Sequence, residues 1–132
     1  MLEQDSDDRY ITEAVFADNH YPVKIDFVNT SDDLFAFLLS CEKGLTPFPS
    51  LILLNHFAGP LDAADILRLL RQNAKYAHIP VVVLSGTTSD KIVQRCYAMG
   101  ANSFIQKPSS GRDIQSKIST FVKYWFDTVE LP

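Results

Sequence analysis

The stretch Leu51-Ile52-Leu53-Leu54-Asn55 decides the fold, because it is an uninterrupted apolar run that ends in a polar residue. Pro47 and Pro49 precede the run, and the loop 56–60 follows it. An apolar run of this length between loop-forming residues is typical of a strand that is buried on both faces. In open α/β sheets, ligands bind outside the carboxyl ends of such strands. Asn55 is therefore predicted to lie where a functional site would form.

Three further segments predict strands. The run 81–85 follows Pro80 and is rich in β-branched residues, which favour strands. Apolar and polar residues alternate in 23–27, and Ser103-Phe104-Ile105-Gln106 is predicted to be a short strand. A central first strand is also expected, but only residues 1–3 precede the acidic residues that open the first helix. The sequence therefore predicts a first strand that is either truncated or begins upstream of Met1.

Apolar residues at helical spacing predict five helices between and after these strands. Capping residues, glycines and apolar stripes indicate where these helices begin and end. The first is predicted over about 7–20 with Ser6 as its N-cap, and the second from the cap Asn29-Thr30-Ser31 to Gly44. The others are predicted over about 62–75, from Ser89-Asp90 to near Gly100, and along 114–125. Alternating strands and helices with continuous apolar strands form parallel sheets that are covered on both faces. The sequence predicts one domain, 1–132, with a doubly wound α/β fold and no tethered output domain.

The composition excludes several classes of protein. A length of 132 residues, 46% hydrophobic and 21% charged, is typical of one globular domain. A net charge of −4 without any basic run argues against a nucleic-acid partner. Cys41 and Cys96 match no metal or redox spacing, so reduced thiols are expected. Without a signal peptide or a run near the roughly 20 apolar residues of a membrane span, a cytoplasmic location and no membrane contact are expected.

An ordered set of residues resembles the receiver domain of bacterial two-component response regulators. The separations of 30 residues from Asn55 to Ser85 and 22 from Ser85 to Lys107 are those expected of receivers. The tail 124–132 resembles the stand-alone subgroup that includes phytochrome-associated response regulators. The residues that carry the resemblance are Asp5, Asp7-Asp8-Arg9, 51–55, Asp62, Ser85, Gly100-Ala101-Asn102, Phe104 and Lys107-Pro108.

The resemblance implies a flavodoxin-like, five-stranded parallel sheet with strand order 2-1-3-4-5. In an active receiver, paired acids and an aspartate that ends the third strand hold Mg²⁺, and a histidine kinase supplies the phosphoryl group that the aspartate accepts. A hydroxyl residue and a lysine contact the phosphoryl oxygens. By this resemblance Ser85 matches the hydroxyl residue, Lys107 the lysine, Phe104 the aromatic switch position and Asp5 the second acid.

The sequence departs from this pattern at its chemical centre. Asn55 occupies the place of the phosphoacceptor and Gln4 that of the first acid. Gly59 replaces an expected proline, and Ala63 replaces the glycine expected after Asp62. A neutral amide is a very poor nucleophile toward phosphorus, so phosphorylation at Asn55 is not expected. These departures predict a degenerate receiver, or pseudo-receiver.

The charge of the predicted pocket argues against a metal. Of its residues Gln4, Asp5, Ser85 and Lys107, Asp5 is the only acidic ligand, so Asp5 and Lys107 sum to zero where an active receiver has −2. Each lost unit removes about 4 kcal/mol of attraction at 4 Å and a dielectric constant near 20. We expect Mg²⁺ binding to be weak or absent, no other cofactor, and Lys107 to pair with Asp5 or with the Asn55 carbonyl.

Alternative chemistry has little support in the sequence. His56 could be a relocated phosphoacceptor, but a histidine on a surface loop is more often solvated, and His20 and His78 have the same interpretation. Ser85 has no base at a recognisable spacing, so no enzymatic activity is expected. No glycine-rich phosphate loop follows the first strand, which argues against a nucleotide or flavin.

The run Tyr124-Trp125-Phe126 predicts a surface feature. Consecutive helical residues point about 100° apart, so at least one of the three should be exposed or at an interface. Two interpretations stay open. One is a partly exposed aromatic residue packed on its own helix, and the other is a homodimer or partner contact made by the last helix and tail.

These observations predict a stand-alone receiver-like protein of a two-component pathway that acts by protein–protein interaction. The expected binding face is built from the fourth helix, fifth strand and fifth helix, and the expected partners are a histidine kinase or another regulator. Two alternatives remain. One is a conventional phosphorylatable regulator into which an Asp→Asn substitution at 55 was introduced, and the other is a flavodoxin-like module that binds a small ligand.

Overall fold

The computed structural model describes residues 1–57, 60–109 and 111–132. Gly59, expected to replace a proline, lies outside the described residues. The described strands are β1 (Ile52–Asn55), β2 (Val81–Ser85) and β3 (Ser103–Gln106). The described helices are α1 (Ser6–Asp18), α2 (Ser31–Glu42), α3 (Ala63–Gln72), α4 (Asp90–Ala98) and α5 (Gly111–Val122), followed by a π-helical segment, Lys123–Thr128.

The sheet is parallel, with β2 between β1 and β3. Leu2 makes parallel bridges with both Val28 and Leu54, so the chain start lies between the 23–28 segment and β1. These bridges give the predicted order 2-1-3-4-5 and confirm the flavodoxin-like fold. The predicted strand at 23–27 does not form a ladder, because only residues 1–3 run beside it.

The helix starts follow local capping chemistry. Thr30, Asp62 and Ser89 each accept a hydrogen bond from the backbone of the first helical turn, at α2, α3 and α4. The N-cap of α1 is Asp5 and not Ser6 as predicted. Its carboxylate accepts from the backbone nitrogens of Asp7 and Asp8, which Ser6 cannot do from inside the helix.

The core lies mainly on one face of the sheet. Ile52, Leu54, Val81 and Val83 are at most 3% exposed and pack against α2, α3 and α4. The alternate strand residues point to the other face, beneath α1 and α5. On that face Leu53, Leu84 and Ile105 are only half-buried. Among the residues whose burial the structure describes, each of the two helices buries a single one, Phe16 in α1 and Val122 in α5. The layer formed by α1 and α5 is therefore the more loosely packed one.

The last helix changes its character at Lys123. The predicted α-helix ends at Val122 and continues as the π-helical segment, which turns the aromatic residues by a different angle per residue. Tyr124 is 52% exposed, while Trp125 and Phe126 are half-buried. The prediction that at least one of the three is exposed is confirmed.

Two further observations bear on the expected class of protein. Cys41 and Cys96 are buried free thiols, and burial raises the pKa of both. Within the described ranges, no helix combines the length and apolarity that a bilayer crossing requires.

Candidate functional site

The carboxyl ends of the parallel strands bring three polar side chains to one edge. Asn55 N donates to Leu2 O over 3.0 Å, which places the residue after Leu2 beside the end of β1. Lys107 N donates to Ser85 O over 2.7 Å, which anchors the segment after β3 to the end of β2. Glu3, Asn55 and Lys107 therefore meet at the edge where a doubly wound sheet binds ligands.

Glu3 is the centre of this cluster. Its side chain is fully buried, and Oε1 accepts from Asn55 Nδ2 at 3.0 Å and from Asp5 N at 3.1 Å. The Oε2 atom accepts from Lys107 Nζ at 2.7 Å. An ionised carboxylate can only accept, so the amide nitrogen of Asn55 has to face it. A buried carboxylate is costly unless paired in this way, and Asn55 therefore helps to stabilise Glu3.

Lys107 joins two carboxylates. Its Nζ contacts Glu3 and also Asp8 Oδ2 at 2.8 Å, on the first turns of α1. Burial alone would lower the pKa of Lys107, but its bonds to Asp8 and Glu3 outweigh burial and raise the pKa above the ordinary value. The three groups carry a formal charge of −1, where the sequence predicted zero.

The structure corrects the predicted pocket. Gln4 is exposed and Asp5 caps α1, so neither belongs to the cluster, and the predicted pairing of Lys107 with Asp5 or the Asn55 carbonyl is wrong. The cause is the alternation of a strand buried on both faces. Leu2 points into the α2–α4 core and Glu3 points toward α1 and α5. The sequence signal that would have identified Glu3 is its position as an acid directly after the apolar residues Met1 and Leu2.

Ser85 and Phe104 serve local structure. Ser85 is buried, and its Oγ donates to Thr87 O at 2.5 Å and accepts from Thr87 N at 3.2 Å, which closes the turn after β2. Phe104 is half-buried against the core, and its backbone nitrogen donates to Tyr97 Oη at 3.2 Å. The Ser85 hydroxyl is thus bonded within its own turn, and Ser85 is joined to Lys107 through the backbone and not through its side chain.

His56 is buried, at 4% exposure, although the sequence predicted a solvated loop residue. Its backbone nitrogen donates to Leu84 O and its carbonyl accepts from Ala63 N, so the chain holds it against the sheet. Its Nδ1 has no hydrogen-bond partner among the described residues. Burial lowers the pKa of His56, opposed by the charge of Asp62 and assisted by that of Arg95. The other two histidines, His20 and His78, are exposed as predicted.

The pKa of His56 leads to a pH prediction. Because the folded pKa lies below the ordinary value of 6.5, the unfolded chain binds a proton more readily. The stability that neutral His56 contributes is fully present above pH 6.5 and is lost as pH falls through the window below it. We expect His56→Phe to reduce the loss of stability between pH 6.5 and 5, measured by urea unfolding. Exposed His78→Phe is the control, and an equal effect of both variants would contradict the assignment.

Asp62, a residue of the receiver pattern, has a structural partner. Arg95 of α4 contacts Asp62 Oδ2 at 2.5 Å and Asp65 Oδ1 at 3.1 Å, and so joins α4 to the start of α3. Phe57 pairs with Asp62 in an antiparallel bridge and is 64% exposed. The start of α3 is thus anchored from two sides.

Comparison with known proteins was made by sequence and by structure. No family model matches the chain. Response regulator Rcp1 of Synechocystis sp. is 30% identical over 87 residues, which cover 66% of this chain and 59% of Rcp1. The probable methanogenesis regulatory protein FilR2 of Methanothrix harundinacea is 28% identical over 102 residues, 77% of this chain and 66% of FilR2. The crystal structure of response regulator RPA3017 in red light signaling of R. palustris is 27% identical with a TM-score of 0.90, and the match covers 99% of this chain and 94% of that one.

This chain is similar in sequence and in fold to response-regulator receiver domains. The prediction of the family is confirmed, and so is the likeness to stand-alone regulators such as Rcp1. The chain spans less than two thirds of the length of the two curated relatives. What those relatives do as whole proteins therefore enters only as a proposal.

The arrangement of possible metal ligands at this edge of the sheet does not fit a divalent ion. Both Glu3 oxygens already accept hydrogen bonds, and the ammonium of Lys107 lies between Glu3 and Asp8. In the described part of the chain, no group of three or more His, Cys, Asp or Glu side chains is placed to hold a metal. An ion would have to displace Lys107 before it could use both carboxylates.

Proposed function

We propose that this receiver is a regulator of a two-component pathway that is not phosphorylated at position 55 and acts by protein–protein interaction. The bond from Asn55 Nδ2 to the buried Glu3 carboxylate carries the proposal. An aspartate at 55 could not donate this bond. It would place a second carboxylate about 3 Å from the first, where both cannot ionise without a large cost.

The chemistry of the cluster supports the same conclusion. An amide is a very poor nucleophile toward phosphorus, and Lys107 is already bonded to two carboxylates and not directed at an incoming phosphoryl group. We further propose that Mg²⁺ binds weakly, that the protein has no enzymatic activity, and that it works in the cytoplasm. Asn55 and Lys107 then have a structural use that an active receiver would not give them.

The proposed binding face consists of α4, β3 and α5. Tyr97 of α4 is 48% exposed, and its hydroxyl accepts from Phe104 N, which links α4 to β3. Lys117 of α5 donates to Gln106 O at 2.8 Å and links α5 to the same strand. These bonds hold the face in one arrangement without a phosphoryl group. A histidine kinase or another regulator is the class of partner that such a face serves in two-component signalling.

The decisive experiment is phosphotransfer from radiolabelled acetyl phosphate with Mg²⁺. We expect no acid-stable or acid-labile label on the wild-type protein, because position 55 offers no carboxylate. The matched variant Glu3→Gln/Asn55→Asp exchanges the amide and the carboxylate and preserves the charge of the cluster. It should fold, whereas Asn55→Asp alone should be destabilised by roughly 1–3 kcal/mol through the two adjacent carboxylates.

The controls separate chemistry from folding. An active response regulator verifies the phosphodonor, and circular dichroism verifies that each variant is folded. A labelled wild-type protein, at Asn55, His56 or elsewhere, would sink the proposal. Label that appears only when residue 55 is aspartate would support it.

We also propose a homodimer contact through the last helix and tail. Tyr124 is half exposed and packs edge-on against Trp125, with ring centroids 5.2 Å apart. Aromatic residues are enriched in interfaces, where they bury large areas. We expect Tyr124→Ser to weaken self-association about tenfold in sedimentation at increasing concentration. Tyr10→Ser, at a more exposed tyrosine of α1, should leave self-association unchanged, and equal effects of the two variants would contradict this contact.

A further inference from the structure

A cavity of about 140 Å³ lies between α1, α5 and the sheet, and it is partly open to solvent. Its floor consists of one apolar residue from each strand, and its walls are apolar residues of the two helices. The floor is formed by Leu53, Leu84 and Ile105, and the walls by Ile11, Phe16, Ile114, Ile118 and Phe121.

The burial of the floor residues shows that the sheet is covered less completely on this face than on the other. Val83 and Leu54, on the opposite face of the same strands, are fully buried. Leu53 and Leu84 lie beside them on the same strands, yet they are only half-buried, as is Ile105 on the edge strand β3. Protein interiors rarely contain voids larger than a water molecule. The apolar side chains of this face therefore border a space that the chain itself does not fill.

The polar groups at one end of the cavity are already paired. Glu3 and Asp8 are bonded to Lys107. Thr12 Oγ1 donates to Asp8 O at 2.8 Å, and Lys117 donates to Gln106 O. An ordered water needs two to four polar partners, and the floor and walls of the cavity, which are apolar side chains, offer none away from this end. A charged ligand would likewise lose its hydration over the apolar floor and walls.

We propose that this cavity is a binding site for a small uncharged apolar molecule of about the size of one aromatic ring. An apolar cavity of about 150 Å³ in another protein stays dry and binds benzene, so the volume fits this class. The inference stands apart from the proposed lack of phosphorylation, because it uses the face under α1 and α5 and not the chemistry of Asn55. An occupant would contact α5, which also contributes to the proposed binding face.

The test is a titration of the full chain with toluene, followed through the methyl resonances of leucine and isoleucine. We expect saturable shifts at Leu53, Leu84, Ile105 and Ile118, and a rise in the melting temperature with toluene concentration. Benzylamine and benzoate have a similar size but carry a charge, and they should produce no saturable shift. Absence of saturable toluene binding up to its solubility would overturn the proposal.

Filling the cavity supplies the matched variants. Leu84→Phe and Ile118→Phe each add a ring into the space, and each should weaken toluene binding at least tenfold. Leu39→Phe makes the same change at an exposed position of α2 outside the cavity and should leave binding unchanged. Two filling positions are used so that a folding defect in one leaves the other decisive. Wild-type toluene affinity in both folded filling variants would also overturn the proposal.

Discussion

Lys107→Met is expected to lower the free energy of unfolding by about 3–5 kcal/mol, because it leaves the buried Glu3 carboxylate without its cation. Glu3 is fully buried, and 23% of the Lys107 side chain is exposed, so solvent cannot replace the lost ammonium. Methionine keeps most of the length and apolar stem of lysine, so little of the effect comes from lost packing. Chemical denaturation at pH 7 measures the change.

An exposed ion pair provides the control. Lys24 and Asp26 are 3.3 Å apart, with 84% and 49% of their side chains exposed. Lys24→Met should change stability by less than about 1 kcal/mol, as exposed pairs do. The double variant Glu3→Gln/Lys107→Met should recover part of the loss, since it buries no unpaired charge. A Lys107→Met cost no larger than that of Lys24→Met would show that the cluster does not stabilise the fold.

The alkaline limb of the stability curve tests the same pair. The folded pKa of Lys107 is raised above the ordinary 10.5, so its contribution is fully present below pH 10.5. It is lost as pH rises through the folded pKa. Wild-type stability should therefore fall more steeply above pH 10.5 than that of Lys107→Met.

Most of the fold was predictable because its signals are local. The apolar runs 51–55 and 81–85 became β1 and β2, since a strand buried on both faces needs apolar residues at every position. Thr30, Asp62 and Ser89 cap helices through bonds that span three residues. The alternation in 23–27 was misleading, because a ladder also requires a neighbouring strand, and periodicity cannot show whether one is present.

The candidate site was predictable only in part. Asn55 was found because it ends an apolar run, and Lys107 was found through the resemblance to receivers. Glu3 was missed because its role depends on Lys107, which is 104 residues away in sequence. His56 was wrongly predicted to be solvated, because its position in a loop does not show which side chains cover it. The loose packing of α1 and α5 on the sheet depends on how the side chains of the two layers fit together, and the spacing of apolar residues in the sequence does not show this.

Arg71→Met is expected to lower the free energy of unfolding by about 3 kcal/mol, a loss that the sequence did not indicate. The guanidinium of Arg71 donates to the carbonyl oxygens of Gly100, Ala77 and Ile79 and to Asn102 Oδ1, at 2.8–3.1 Å. One side chain thus donates hydrogen bonds to backbone carbonyl oxygens in both the loop after α3 and the turn after α4. Thermal and urea unfolding measure the loss.

Two control variants separate the hydrogen bonds of the Arg71 guanidinium from its charge and from the general effect of removing an arginine. Arg71→Lys keeps the charge but presents a single ammonium, so it should retain only a minor part of the stability. Arg68→Met removes an exposed arginine from the same helix and should change stability by less than about 0.5 kcal/mol. Equal costs for Arg71→Met and Arg68→Met would show that the hydrogen bonds contribute nothing.

Gly100 contacts Arg71, and two separate effects oppose a side chain at this residue. Its φ of +103° is strained for any other residue, and a Cβ would lie 2.8 Å from Arg71 Nε and 2.9 Å from Arg71 Cγ. Gly100→Ala should therefore combine backbone strain with a clash. In the Arg71→Ala background the strain remains and the clash disappears. The two single costs should exceed the double-variant cost by at least about 1 kcal/mol, and additive costs would refute the contact. This turn leads directly into β3, so a loss here displaces the strand that carries Phe104 and precedes Lys107.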